Sequence, residues 1–238
     1  MISARWTDLL RGDVVTMRRD PLLALCVLAP VLLTGALRFG VPRVTALAAP
    51  WVDLAPFHPF MVGAALLLGP AMFGFTIGFM LLEERDERVL DVVAVTPLRT
   101  TGFLAYRLAL PVAFGFLAGV GMVRGAGLVA VPLPSLVLGA ALGALQAPLY
   151  AGVLVAFASD KVQGLALSKA TNIGMLAPLT LVALSGPWRF IGGISPTFWP
   201  VYVMLSEGPA RLGGFAVGLA LTGAAVAALA AQLRRRVR

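Results

Sequence analysis

Residues 59–82 read PFMVGAALLLGPAMFGFTIGFMLL, and residues 83–91 that follow read EERDERVLD. The first stretch carries no charged side chain and is long enough for an α-helix to cross a hydrocarbon core, which takes about 20 apolar residues. The second holds five of the chain's 11 acids. So abrupt a change, from a charge-free helix to a dense charged segment, marks the point where a membrane span leaves the bilayer.

The rest of the chain fits that frame. Of 238 residues, 59% are hydrophobic and 13% charged, and mean hydropathy is +0.92. A soluble domain carries roughly twice that share of charge. A soluble enzyme, a disordered chain and a disulfide-stapled domain are all excluded by this composition. Cys26 is the one cysteine and reads as a small residue in an apolar run. Besides 59–82, apolar windows lie at about 21–39, 102–123, 135–158, 165–186 and 211–233. The charge-free stretch 125–159 is too long for one span; Pro132 and Pro134 break its start, and Ser135 is the expected N-cap. The first window resembles a signal peptide, with Ala46-Leu47-Ala48 as a cleavage-like site, but the preceding polar region of about 20 residues is too long and patterned for one. The expected architecture is all-α and polytopic: a single transmembrane domain over 1–238 with six spans.

The net charge of +8 would suggest nucleic acid in a soluble protein. Here it sorts by side. With the N-terminus in the cytoplasm, 14 of the 19 basic residues fall on the cytoplasmic face, leaving Arg38, Arg43, Arg124, Arg189 and Arg211 outside. The positive-inside rule then places both termini in the cytoplasm and the chain in the cytoplasmic membrane. Residues 3–19 repeat Trp6, Leu9, Leu10, Val14 and Met17 at helical spacing among Arg5, Asp8, Arg11, Arg18 and Arg19. That pattern predicts an interfacial amphipathic helix.

Catalytic signatures are sparse. His58 is the sole histidine, and no zinc motif of the His-Glu-x-x-His type occurs. No predicted helix interior holds Asp or Glu. The cluster 83–91 leaves open one enzymatic alternative, metal-dependent chemistry on lipid. Neither Lys161 nor Lys169 follows glycine, so the chain has no phosphate loop. If ATP drives this protein, the ATPase is another chain, and ATP and magnesium belong to it; this chain is expected to bind no cofactor.

After Arg88, apolar Val89, Leu90, Val92 and Val93 follow at once, and Thr96 and Pro97 read as the N-cap and first position of a new helix. The segment is thus a helical elbow between the second and third spans. Taken alone, it fits either a solvated helix end or a docking element whose apolar side fills a groove while its charges fix register. The pattern of Glu84, Arg85, Glu87, Arg88, Val89, Leu90, Val93, Thr96, Pro97, Leu98 and Arg99 resembles the membrane subunits of type-2 ATP-binding-cassette (ABC) exporters, nearest in look to permeases of the fluoroquinolone-exporter kind. The stretch from Ile194 to Pro200, followed by Glu207-Gly208-Pro209, is similar too. The resemblance implies two permease subunits, the same or related, over two cytoplasmic ATPases. It makes Glu83 through Val95, including Asp86, the coupling helix.

The few polar groups expected at depth are Thr76, Gln146, Tyr150, Asn172 and Thr180. They fit either helix-to-helix hydrogen bonding or a sparsely polar path for an amphipathic substrate. Glycine pairs four apart, such as Gly74/Gly78, read as helix-packing contacts. Trp188, Phe190, Phe198, Trp199 and Tyr202 predict an interfacial aromatic belt in the loop before the sixth span.

Overall fold

The computed structural model describes residues 21–87 and 99–237. Every regular element among them is helical, and six helical segments are long and apolar enough to cross a membrane. The expected interfacial helix 3–19 and the distal part of the elbow, 88–98, lie outside the described residues.

The first span is longer than its hydropathy suggested. Helix α1 (Pro21–Gly35) runs through a π-turn, Ala36–Gly40, into α2 (Val41–Ala48). Arg38 therefore lies inside the helical rod and does not close it. Pro42 is tolerated because it sits in the first turn of α2. The second span, α3 (His58–Asp86), is the central post of the bundle, with 72% of its apolar window buried against 6% for the first span and 11% for the fifth. The third span, α4 (Arg99–Ala126), packs along it.

The fourth span is two helices, α5 (Leu133–Ala144) and α6 (Gln146–Phe157), meeting at Leu145. Pro148 has no N–H to donate to the carbonyl four residues back, which breaks the ladder there. Ser135 does not cap α5. It is buried two residues inside the helix, and its hydroxyl donates to the Ser206 carbonyl at 2.8 Å. Pro132 precedes the helix instead, with Pro134 in the first turn, where a missing N–H costs nothing.

The fifth span is the least regular: α7 (Lys161–Asn172), a 3-10 stretch (Ile173–Leu179) containing Pro178, and α8 (Thr180–Ala183). The sixth, α10 (Gly208–Val237), follows the short α9 (Phe198–Leu205).

Close approach of α3 to α6 depends on glycine. A Cβ on Gly74 would lie 2.5 Å from the Ala147 carbonyl oxygen, and one on Gly78 would lie 2.7 Å from Leu154 Cδ1. These glycines act as packing surface, as their spacing suggested. The aromatic loop departs from expectation. Phe198 is fully buried and stacks with Tyr202 at 5.9 Å between ring centroids, while Trp199 and Phe190 close around them. This cluster is a folded plug that wedges α9 among α3, α5 and α10; Trp188 and, in part, Phe190 stay exposed and are left for an interfacial role. A loop of aromatic residues reads the same in sequence whether it lies on a bilayer or folds back into the bundle.

Candidate functional site

The acidic end of α3 is held by three consecutive residues that reach three different elements. Glu83 Oε1 accepts from Lys161 Nζ at 2.8 Å, at the start of α7. Glu84 pairs with Arg107 of α4. Arg85 donates to the carbonyls of Ala158 and Ser159, at 3.2 and 2.8 Å, just past the C-terminus of α6. Cations are favoured at such a terminus because its last carbonyls have no helical donors.

Burial separates the two acid pairs. Glu84 and Arg107 side chains are each 13% exposed, and the Arg107 guanidinium also lies over the Phe103 ring at 5.3 Å. Glu83 and Lys161 are about half exposed, so water screens them and their pair contributes little to stability. Beside them, Asp160 caps α7 by accepting from Gln163 N–H at 2.9 Å. That bond holds its carboxyl below the ordinary aspartate value. Asp86 and Glu87 are exposed beyond this clamp. Arg88, Val89, Leu90, Val93, Thr96 and Pro97 lie outside the described residues. The arrangement ties the end of α3 to α4, to the end of α6 and to the start of α7. Both inner acids are neutralised by basic partners, and no group of three His, Cys, Asp or Glu side chains that could hold a metal occurs among the described residues.

The depth-polar candidates are not brought to one wall. Gln146 is fully buried and donates from Nε2 to Thr222 Oγ1 of α10 at 3.0 Å. Tyr150, one turn on, packs its ring on Phe75 at 4.9 Å. Gln146 Oε1 and the Tyr150 hydroxyl are buried without a protein partner among the described residues. Thr76 bonds the Met72 carbonyl of its own helix, and Thr180 bonds the carbonyls of Ala177 and Arg189. Asn172 is exposed at the end of α7.

Sequence reasoning missed Arg107, Lys161 and Thr222 as partners. A signal existed for the first two: each is a lone base at a span end that antiparallel topology brings level with Glu83 and Glu84. Thr222 gives no signal in an alanine-rich helix.

The family described as "Fluoroquinolones export permease protein Rv2686c-like" matches residues 13–233. Among curated proteins, the chain is 30% identical over 196 residues to "Fluoroquinolones export permease protein Rv2686c" of Mycobacterium tuberculosis strain H37Rv, covering 79% of this chain and 77% of that one. The same identity and coverage hold for "Fluoroquinolones export permease protein MT2760" of strain CDC 1551. No solved structure matches the chain.

Proposed function

The chain belongs to the Rv2686c-like fluoroquinolone export permease family, and we propose that it is the membrane subunit of an ATP-driven exporter working with a separate cytoplasmic ABC ATPase. The observation that carries this is the clamp at Glu83, Glu84 and Arg85. Beyond it the sequence runs through 86–98, whose mix of charged and apolar residues has the chemistry to fix register and fill a groove on a soluble partner.

In this account both termini are cytoplasmic, and two permease subunits pair over two ATPases. ATP and magnesium sit on those ATPases. Closure of the ATPases displaces the elbow. The Glu84–Arg107 pair carries that displacement into the third span, and the bonds of Glu83 and Arg85 carry it to the junction of the fourth and fifth. The cargo is hydrophobic or amphipathic, the class to which fluoroquinolones belong, since charge is almost absent at depth. Gln146 Oε1 and the Tyr150 hydroxyl are the depth-polar atoms left for a substrate to meet; Asn172 faces outward, toward lipid or the second subunit.

The test is co-purification from native membranes followed by transport. A cytoplasmic ATPase should accompany the chain, and vesicles bearing both should move a fluoroquinolone only with ATP. Reversing Glu87 and Arg88 should leave ATP hydrolysis running while transport stops. Unchanged transport in that variant would remove the coupling role.

A further inference from the structure

Ionisable side chains inside a span are costly and mark sites by default. Arg38 is such a residue. It lies within the span Leu28–Ala48, in the π-turn that interrupts the helix, and π-turns gather at functional positions. Its Nη1 donates to the Gly125 carbonyl at 3.1 Å, at the last turn of α4. Arg124 stands exposed in that same turn. Neither arginine has an ion-pair partner among the described residues.

Directly along the same helix faces runs an apolar groove of about 460 Å³ between the first three spans. Its walls include Val31, Thr34, Phe73, Phe114, Leu117 and Gly121. Thr34 lies one turn before Arg38; its hydroxyl is satisfied by the Pro30 carbonyl at 2.6 Å and its methyl lies against Gly125 of α4. Leu117 and Gly121 lie seven and three residues before Arg124, on its side of α4. Each wall is therefore an apolar stripe that ends in an arginine. A Cβ at Gly121 would meet nothing within 4 Å, so the space is open.

We propose that this groove binds one anionic glycerophospholipid from the leaflet opposite the chain termini, with an acyl chain between Val31 and Leu117 and the phosphate held by Arg38 and Arg124. Guanidinium groups bind phosphate through paired N–H donors, and basic pockets between spans hold anionic head groups. Acids at this end are scarce: Asp53 and Glu207 are the only ones between the spans on that side, against five arginines. The surplus charge selects an anionic occupant over a zwitterionic one.

The test is native mass spectrometry of the full chain, purified in detergent and supplied with equal phosphatidylglycerol and phosphatidylcholine. The wild-type chain should retain a single phosphatidylglycerol in preference, by about fivefold for each arginine contact. Arg124→Gln should lose its share of that preference and Arg124→Lys should keep it; Arg38→Gln combined with Arg124→Gln should abolish it. Gly121→Leu, which fills the groove and leaves both arginines, should release both lipids. Equal retention of the two lipids by the wild-type chain would overturn the proposal. So would a preference that survives in the double variant, or a Gly121→Cys chain that crosslinks to a second copy through the groove.

Discussion

Glu84 of α3 and Arg107 of α4 form an ion pair in which both side chains are nearly sequestered, each 13% exposed, with the guanidinium also resting on the Phe103 ring. This is the one strongly shielded charge pair among the described residues, and it joins the two spans that flank the elbow. Taking one partner away leaves the other charge with poor solvation, which costs on the order of 3 kcal/mol. Glu84→Gln and Arg107→Met should each lower the thermal unfolding midpoint in detergent. The double variant Glu84→Leu with Arg107→Met should regain part of the loss, since neither member of this pair is left facing the other's vacancy. Equal loss in single and double variants would show that the pair does not couple the helices.

The exposed neighbour, Glu83 with Lys161, should behave differently. Its contribution to stability is about 0–1 kcal/mol, so Glu83→Lys should unfold near the wild-type temperature. Transport should nevertheless fall, because a repulsive contact now separates the elbow from the start of α7. Exchanging both charges, Glu83→Lys with Lys161→Glu, should restore transport. A single variant that transports normally would remove this contact from the coupling route.

Gly74 sets the distance between α3 and α6. With a Cβ placed 2.5 Å from the Ala147 carbonyl oxygen, Gly74→Ala forces backbone to move and should destabilise by about 1–3 kcal/mol. Gly121→Ala, where a Cβ meets open space, is the control and should unfold as the wild type does.

How much of this was legible in the sequence depends on the residue. The six spans stood out because stretches such as 59–82 are long and free of charge. Their ends were harder. Arg38 looks like a span end because charges usually close spans, yet the helix continues through a π-turn that no composition signals. Ser135 has the chemistry of an N-cap but is used two residues inside the helix to hold the Ser206 carbonyl. Five acids at 83–91 marked the end of the second span. Their partners Arg107 and Lys161 lie 23 and 78 residues from Glu84 and Glu83; span topology brings them to the same level, and packing decides which acid each one meets.

Tyr150 separates structure from transport. Its hydroxyl is buried without a protein partner among the described residues, so Tyr150→Phe removes an unmade hydrogen bond and should leave stability within about 0.5 kcal/mol of wild type or raise it. If that hydroxyl meets the cargo, export by the variant falls while its unfolding temperature holds. A lower unfolding temperature would instead assign the hydroxyl a structural bond.

The central claim is that this chain moves cargo only when a separate ATPase drives the elbow. The direct measurement is ATP-dependent uptake of a fluoroquinolone into inside-out proteoliposomes containing the chain with its co-purified ATPase. The account predicts uptake that needs ATP and both chains, and that is lost in Glu87→Arg with Arg88→Glu while ATP hydrolysis continues. Uptake by the chain without an ATPase, or uptake that is unchanged in that variant, would contradict it.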